Sequence, residues 1–204
     1  MSTLTTAHQS IVHSRRVRRL AAAASALIPQ GAASLLDVGS GDGKLGSLLQ
    51  QHRPALAVSG TDVLVRGDTA IPTTQYDGRT LPHGDGSMDV VMLVDVVHHS
   101  DDQVRLLSEC RRVARMGVLI KDHLCESALD QRVLAFMDYV GNAAYGVNLP
   151  YVYWSKQQWQ QNLARVRLAP AQWTQKLDIY PWFAKPFFER NLHFMAFCPL
   201  AQHG

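Results

Sequence analysis

The sequence predicts an α/β fold built on a parallel sheet, and three observations predict it. Short apolar segments alternate with helical segments along residues 1–123. The segment 89–97 is apolar almost throughout, as is typical of a central parallel strand that is buried on both faces. A cluster of glycines follows the first apolar strand directly. Strands separated by helices at this spacing imply right-handed crossovers, which make neighbouring strands parallel.

The first element is predicted to be an amphipathic helix that stops at Pro29. Apolar residues between 17 and 28 recur at helical spacing on one face, and the arginines within 15–19 avoid that face. The alternative is a signal peptide, because the short apolar run 20–24 follows a charged head. The helix is favoured because a core strand comes next, and no apolar run approaches the ~18 residues of a membrane span.

The remaining elements follow from apolar runs and the polar residues that end them. The run before the glycine cluster is a strand, the next strand ends at Asp62, and a weaker one ends at Asp77-Gly78. Asp101 and Asp102 open a helix, because acidic residues stabilise its positive end. The predicted strands are 34–38, 57–61, 73–76, 89–97 and 117–121, and the predicted helices between them are 44–51 and 101–114.

The composition fits one compact domain. The chain has 204 residues, of which 47% are hydrophobic, which is enough for a buried sheet with helices on both faces. The formal net charge of +3 permits an anionic partner without requiring one. The cysteines, Cys110, Cys125 and Cys198, have no metal-ligand spacing and indicate buried apolar positions in a reducing cytoplasm.

The most informative stretch is 35–43, Leu-Leu-Asp-Val-Gly-Ser-Gly-Asp-Gly. An apolar strand runs into a turn in which Gly39, Gly41 and Gly43 occupy alternate positions. Glycine allows a positive φ and lets a ligand touch the main chain without meeting a Cβ. The helix that follows points its free N–H groups at the same place. The sequence therefore predicts a ligand-binding turn.

A dinucleotide site is the competing interpretation of this turn. Residues 41–46 match G-x-G-x-x-G, and Asp62 lies about 20 residues further on, where a ribose-binding acid belongs. However, the match begins two residues late, after Gly39 has already made a turn. Asp37 and Asp42 would also repel a pyrophosphate, whereas they favour a ligand that carries an ammonium and a sulfonium.

The turn and two later acidic positions resemble a known family. Residues 37–43, with Asp62 and Asp77-Gly78, resemble the class I S-adenosylmethionine-dependent methyltransferases. The resemblance is to the small-molecule enzymes that include the ubiquinone and menaquinone biosynthesis methyltransferases. Residues 93–99, Leu-Val-Asp-Val-Val-His-His, are similar to that family's fourth-strand segment. The resemblance covers residues 10–123.

The family implies a Rossmann-like three-layer sandwich with a seven-stranded, mostly parallel sheet and an antiparallel last strand. Residues 173–179 and 193–198 are the expected closing antiparallel pair. The chain is expected to be a single methyltransferase domain over residues 1–204. Within it, residues 10–123 form the cofactor-binding half, and residues 124–204 supply the substrate-pocket helices and the closing strands.

The resemblance also implies S-adenosylmethionine as the cofactor and assigns roles by position. Gly39 and Gly41 pack against the methionine part and Asp37 lies near its ammonium. Asp62 accepts the ribose hydroxyls, and Asp77 meets the adenine. Arg15 or Arg16 reaches the cofactor carboxylate unless it lies on a solvated helix face. The candidate cofactor-binding residues are Asp37, Gly39, Ser40, Gly41, Asp62, Val63, Asp77, Gly78 and Asp95.

The candidate catalytic residues are His98 and His123, with Asp122 as a partner. A sulfonium is already an activated electrophile, so the protein must chiefly hold a nucleophile in line and exclude water. A base is needed only if the nucleophile arrives protonated, and a neutral imidazole suits that task at neutral pH. His99 is a further candidate, and each histidine could instead line the cofactor or satisfy backbone groups. His123 is favoured because it lies at the end of the fifth strand.

The substrate pocket is expected in the last third of the chain. Every aromatic residue except Tyr76 follows residue 135. A pocket wall or a core position is equally consistent with the four aromatics that flank the loop 146–150. Asp138 and Asn142 lie four apart on one helical face and could orient a polar substrate. The candidate pocket residues are Tyr145, Tyr151, Tyr153 and Trp154.

The leading hypothesis is a cytoplasmic enzyme that methylates a small, aromatic or apolar metabolite without a metal. One alternative is a metal-assisted catechol-type enzyme that uses Asp95, Asp122, His98 and His123. Another is a nucleic-acid methyltransferase, for which the arginines within 15–19 and 111–115 provide positive charge. A third is a cofactor-binding protein without turnover. No nucleic-acid partner is expected, and the oligomeric state is left open.

Overall fold

The strand order of the sheet explains how distant parts of the chain meet. The computed structural model describes residues 3–142 and 149–201, and the side chains of 15–141 and 149–201. The strands of the sheet are β1 Ser34–Val38, β2 Ala57–Asp62, β3 Thr73–Gln75, β4 Met88–Val94, β5 Ala114–His123, β6 Gln172–Thr174 and β7 His193–Pro199. They lie in the order β3-β2-β1-β4-β5-β7-β6.

The first five strands are parallel, and β7 runs antiparallel to β5 on one side and to β6 on the other. This arrangement confirms the predicted seven-stranded, mostly parallel sheet with an antiparallel closing pair. In the register of β5 and β7, His123 lies opposite His193 and Lys121 opposite Met195. The late strand β7 is therefore inserted beside the carboxyl end of β5, where ligands of such sheets bind.

Six helices accompany the sheet in the described part of the chain. They are α1 Thr3–Leu27, α2 Lys44–His52, α3 Gln103–Val113, α4 Ala128–Asn142, α5 Lys156–Arg165 and α6 Lys185–Phe188. Asp102 caps α3 by accepting a hydrogen bond from the Arg105 amide, as its place before the helix predicts. Ser155 and Gln158 form a capping box at the start of α5. None of the described helices has the length and apolar character that a membrane span requires.

The two faces of the sheet bury separate apolar cores, which makes the three predicted layers. Consecutive strand residues alternate between them, so that Leu35 belongs to one core and Leu36 to the other. The first core contains Leu20 of α1 and Leu49 of α2. The second contains Leu107 of α3 and, from α5, residues such as Trp159. Each fully buried leucine contributes about 1.5–3 kcal/mol to stability because its side chain leaves water. The apolar face predicted for α1 packs in the first core.

The sequence prediction fails at the end of β4. It extends this strand to residue 97, directly before His98 and His99. Instead the strand stops at Val94, Asp95 adopts a left-handed φ of 56°, and Val97–His99 form a 3₁₀ turn. The turn forms because the Val97 amide donates to the Asp122 carboxylate at 3.0 Å. As a result the two imidazole rings lie side by side, with centroids 4.0 Å apart.

The strand β6 is also shorter than the predicted segment 173–179. It pairs with β7 over only three residues. Beyond Thr174 the chain leaves the sheet edge because Leu177 and Ile179 are buried in the core on the α1 face. The apolar residues that suggested a longer strand therefore serve helix–sheet packing.

Candidate active site

The glycine turn after β1 has the backbone geometry that its sequence predicts. Gly39, Gly41 and Gly43 have positive φ values of 71°, 57° and 71°. A Cβ on Gly39 would lie 2.5 Å from Val96, so the turn approaches the segment after β4 closely. A Cβ on Gly41 would meet nothing within 4 Å. The main chain at Gly41 therefore borders open space that a ligand can fill.

An acidic group lies beneath this turn. Asp37 is only 3% exposed at the end of β1. Burial, followed by the neighbouring carboxylates of Asp62 and Asp42, raises the pKa of Asp37 to about 8. A cation bound nearby would remove this unfavourable arrangement of like charges, whereas a phosphate would add to it. The electrostatics of the turn therefore favour a positively charged ligand.

The residues after β2 and β3 extend the same cleft. Asp62 accepts hydrogen bonds from the amides of Gly41 at 2.8 Å and Leu64 at 3.0 Å. Each carboxylate oxygen keeps a lone pair for a further donor. Val63 is 51% exposed and offers an apolar surface beside Asp62. The Ser40 hydroxyl is instead turned toward β3, where its Oγ lies 3.4 Å from Thr73 Oγ1.

Asp77 and Gly78 form a turn after β3. One oxygen of Asp77, Oδ1, accepts hydrogen bonds from the amides of Arg79 and Thr80, both at 2.8 Å. These backbone bonds hold the pKa of Asp77 below its ordinary value, so the group is an anion at neutral pH. Gly78 has a φ of 76°, and a Cβ there would lie 3.3 Å from Val63. Asp77, Gly78 and Val63 are thus brought together at the far end of the cleft.

A second group of polar side chains lies at the carboxyl ends of β4 and β5. We call His98, Asp122, His123, Asp138 and His193 the histidine cluster; all five are buried. His98 Nδ1 lies 2.6 Å from Asp122 Oδ1. Asp122 is itself held by the amides of Val97 and His123, at 3.0 and 2.7 Å. Asp122 therefore fixes the orientation of the His98 ring.

Asp138 of α4 closes the cluster from the opposite side. Its Oδ2 lies 3.4 Å from His98 Nε2, and its Oδ1 lies 3.8 Å from His123 Nε2. The hydroxyl of Tyr153 also donates a hydrogen bond to Asp138. One carboxylate from the late helix thus faces both predicted catalytic histidines.

The two histidines have pKa values that are shifted in opposite directions. Burial alone would lower the pKa of His98, but the carboxylates of Asp122 and Asp138 outweigh it and raise this pKa to about 10. Burial, and then the positive charges of Lys121 and His98, hold the pKa of His123 well below its usual 6.5. At pH 7 His98 is therefore an imidazolium and His123 a neutral imidazole. Because their pKa values differ in this way, one histidine can act as an acid and the other as a base within one site.

The hydrogen bonds of His193 show how the His123 ring is held. His193 Nε2 lies 2.8 Å from the carbonyl oxygen of Phe188, which can only accept, so this nitrogen is the donor. His193 Nδ1 then accepts, and both His123 Nδ1 at 3.1 Å and Lys121 Nζ at 3.2 Å lie within reach of it. On its other side, His123 Nε2 faces carboxylate oxygens of Asp95 and Asp138 at 3.6 and 3.8 Å.

Sequence reasoning missed the charged residue that supports this arrangement. Lys121 of β5 is completely buried, forms an ion pair with Asp95 and lies 3.2 Å from His193 Nδ1. Arg16 of α1 pairs with the other oxygen of Asp95. A lysine inside the apolar run 117–121 was the available signal, because such a residue needs a buried partner. Asp95 is thus engaged by two cations rather than open to the cleft.

Several solved structures share this fold. A methyltransferase from Haloferax volcanii, solved with a methyltransferase activator, superimposes with a TM-score of 0.65 at 16% identity, over 91% of this chain and 90% of that one. A geranyl diphosphate methyltransferase in complex with S-adenosylmethionine gives 0.66 at 12% identity, over 90% and 85%. An S-adenosylmethionine-dependent methyltransferase from Mesorhizobium loti gives 0.62 at 16%, over 86% and 94%.

The sequence itself also matches a family model. Residues 36–120 match the model described as a methyltransferase domain, and they span the glycine turn, β2 to β4 and most of β5. Residues 36–120 are thus similar to the methyltransferase domain family, and the chain shares the fold of these solved methyltransferases. No curated protein matches the sequence significantly.

The basic residues on α1 are engaged by carboxylates of the protein. Arg15 and Arg19 bond Asp178 at 3.1 and 2.5 Å, and Arg16 pairs with Asp95. Arg16 is thus held at the end of β4, while the side chains of Arg15 and Arg19 stay partly exposed, at 40% and 48%. The pairs tie α1 to the segment after β6 and to the end of β4, which explains why the helix lies over the site.

The predicted aromatic pocket residues separate into different environments. Tyr153 is buried in contact with the histidine cluster, with its ring centroid 5.6 Å from that of His98. Trp154 packs edge-on against Trp159, at 4.8 Å, next to the core under α5. Tyr151 is at the surface with a left-handed φ of 55°. Tyr145 lies outside the described residues.

Potential metal donors also meet in the histidine cluster and beside it. Donor atoms of His98, Asp122 and His123 lie within 4.8 Å of one another, as do those of His98, His99 and Asp138. Both oxygens of Asp122 already accept hydrogen bonds, and Asp95 is paired with Lys121 and Arg16. The two carboxylates that the metal-assisted alternative requires, Asp95 and Asp122, thus already bind groups of the protein itself.

Proposed function

We propose that this protein transfers the methyl group of S-adenosylmethionine to a small, apolar or aromatic acceptor. The observation that carries the proposal is that two unlike sites lie at the same edge of the sheet. An acidic, glycine-lined cleft suited to a cation lies along the same sheet edge as a buried pair of histidines with divergent pKa values. Val96 lies against Gly39 of the cleft and is followed directly by the 3₁₀ turn that carries His98.

The residues of the cleft fit the parts of this cofactor. Gly39, Ser40 and Gly41 would border the methionine portion through their main chain, with Asp37 near its ammonium. Asp62 would accept the ribose hydroxyls, and Val63, Asp77 and Gly78 would contact the adenine. The cofactor supplies a sulfonium-bound methyl group that is already activated for displacement. The protein must therefore mainly position the acceptor and exclude water, which can contribute about 7–11 kcal/mol of the barrier.

His123 is the proposed base for an acceptor that arrives protonated. Burial holds its pKa well below the usual value, so it is a neutral imidazole at pH 7, and its Nδ1 lies 3.1 Å from His193 Nδ1. His98 would stabilise negative charge as an imidazolium, and Asp122 would hold its ring in place. Asp95 bounds the site through its pairs with Lys121 and Arg16 instead of contacting the cofactor directly.

Two findings bear on the other proposed functions. Two of the three arginines in the second basic segment are paired: Arg112 bonds Asp85 and Glu109, each at 2.8 Å, and Arg115 pairs with Asp89. A nucleic-acid site needs arginines that are available to phosphates, so these pairs favour a small-molecule acceptor. The buried, ordered base favours an enzyme over a cofactor-binding protein without turnover.

Replacing Asp62 by alanine should weaken the binding of S-adenosylmethionine about 10–100-fold, because a charge-assisted hydrogen bond contributes roughly 1.5–3 kcal/mol. Isothermal titration calorimetry measures the change, and circular dichroism checks that the fold persists. Asp68→Ala, an exposed acid in the loop after β2, is the matched control and should bind normally. An unchanged dissociation constant for Asp62→Ala would count against the cofactor assignment.

The binding of S-adenosylmethionine should also strengthen as the pH rises toward 8. The pKa of Asp37 is about 8 in the free protein, so below pH 8 this carboxyl is protonated and must lose its proton to face a cation. Each unit below pH 8 should therefore cost up to about tenfold in affinity. The cofactor's own amino group titrates nearby, so the comparison is between wild type and Asp37→Asn. Equal pH profiles for the two proteins would contradict the assignment.

A further inference from the structure

An open apolar groove lies between α4 and α6, next to the histidine cluster. Its volume is about 550 Å³, which is within the range of small-molecule sites. Leu129, Val133 and Phe136 of α4 form one wall, and Phe187 and Phe188 form the other. The exposed surface of these side chains makes the groove almost entirely apolar.

The apolar lining of the groove is unusually accessible to solvent. Phe136 is 57% exposed and Phe187 is 65% exposed. Leu129, Val133 and Phe136 recur at helical spacing along one face of α4, whereas Leu134 and Asp138 lie on its buried face. No described residue covers the outward stripe. A contiguous apolar surface of this kind marks a binding site more often than a solvated face.

Among the residues that the structure describes, two arginines supply the charges that line the groove. Arg132 and Arg190 are exposed, and neither has an ion pair or hydrogen bond to any residue that the structure describes. Other arginines of the chain differ in this respect. The guanidinium groups of Arg16, Arg112 and Arg115 are all paired with carboxylates. An apolar groove with unpaired guanidinium groups is complementary to an apolar molecule that carries an anion.

The walls of the groove also build the histidine cluster. α4 carries Asp138 on its inner face, opposite His98 and His123. Phe188, at the end of α6, accepts the hydrogen bond of His193 through its carbonyl oxygen. The Tyr180 ring bridges the two, with centroids 5.8 Å from Phe188 and 5.7 Å from His193. A molecule in the groove would therefore lie beside the proposed acceptor site.

We propose that this groove binds the hydrocarbon part of a monomeric anionic amphiphile, with its anion at Arg132 and Arg190, and that this molecule is the methyl acceptor. In the transfer a protonated heteroatom of the acceptor would form a bond to the methyl carbon, the bond from that carbon to sulfur would break to leave S-adenosylhomocysteine, and the proton would pass to His123. Only the second part of this inference, that the bound molecule is the methyl acceptor, rests on the proposed function. Binding at the groove depends on α4, α6 and the two arginines. It is independent of the cofactor cleft and of the chemistry at His123.

The test uses a fluorescent polyunsaturated fatty acid, parinaric acid, and its uncharged methyl ester as the matched ligand. Wild-type protein should bind the acid saturably, one molecule per chain. The double variant Arg132→Gln/Arg190→Gln should bind the acid about tenfold or more weakly and the ester unchanged, because only the charge-assisted bonds are lost. The control Arg165→Gln, an exposed arginine on α5, should bind both as wild type does. Phe136→Ser should weaken both ligands.

Several results would overturn the inference. They are equal binding of acid and ester by wild type, association with neutral phosphatidylcholine vesicles in place of the monomeric acid, or a dimer in light scattering that Phe136→Ser abolishes. Calorimetry with S-adenosylmethionine on the same preparations separates the two proposals. Loss of fatty-acid binding with normal cofactor binding rejects the groove alone. Absence of cofactor binding rejects the proposed function and leaves the groove result standing.

Discussion

Replacing His123 by glutamine should lower the rate of methyl transfer about 10²–10⁴-fold, the usual contribution of a positioned general base. Glutamine keeps a donor toward His193 but cannot take a proton from the acceptor. The binding of S-adenosylmethionine should be unchanged, because His123 lies in the histidine cluster and not in the glycine-lined cleft. In wild type the rate should persist below pH 6.5, since burial keeps the pKa of His123 well below that value.

Release of S-adenosylhomocysteine measures this rate, first over a panel of phenols, carboxylic acids and amines, then with the best acceptor of the panel. His52→Gln is the matched control, because His52 is an exposed histidine at the end of α2. A loss of less than tenfold in His123→Gln, with the same loss in the control, would reject His123 as the base. A large loss accompanied by weaker cofactor binding would indicate a structural role.

Replacing Asp95 by asparagine should lower the free energy of unfolding by about 3–5 kcal/mol, the cost of removing one partner of a buried ion pair. Asparagine tolerates the left-handed φ of this position and keeps a hydrogen-bond acceptor, so the change isolates the charge. Lys121 would be left as a completely buried cation, and Arg16 would lose its carboxylate. The effect should be large because neither water nor another carboxylate can replace Asp95 at Lys121 without rearrangement.

Urea denaturation monitored by circular dichroism measures the loss of stability. Asp85→Asn is the control, because Asp85 also pairs with an arginine but is 83% exposed; such surface pairs contribute about 0–1 kcal/mol. Adding Lys121→Met to Asp95→Asn should recover part of the loss, since it removes the stranded cation. Equal stability of the Asp95 and Asp85 variants would show that the buried network does not hold the end of β4.

The cofactor cleft could be predicted from sequence because its determinants are local. The alternating glycines and the apolar run before them define the turn within nine residues. Asp62 and Asp77 each follow a strand directly, so their positions depend only on the ends of β2 and β3. Parallel strands then bring these ends to one edge of the sheet. The main elements of the first 123 residues were correct for the same reason, since each apolar run is bounded by its own polar residues.

The histidine cluster could be predicted only in part, because it depends on contacts between distant residues. His98, Asp122 and His123 were identified from their place after β4 and β5. The sequence does not reveal that β7 inserts beside β5, and this insertion alone brings His193 to His123. It also does not reveal that the Val97 amide binds Asp122 and so ends β4 early. The pairing of both Lys121 and Arg16 with Asp95 was missed because Asp95 has a left-handed φ, which turns the chain away from the direction of β4.

Because β7 is inserted between β5 and β6, the residues proposed to bind the cofactor and those proposed to accept the proton come from different parts of the sequence. All residues proposed to bind the nucleoside precede residue 80, whereas His193, whose Nδ1 lies 3.1 Å from that of the proposed base, is supplied by β7. The proposed base therefore has this partner only once β7 has docked against β5.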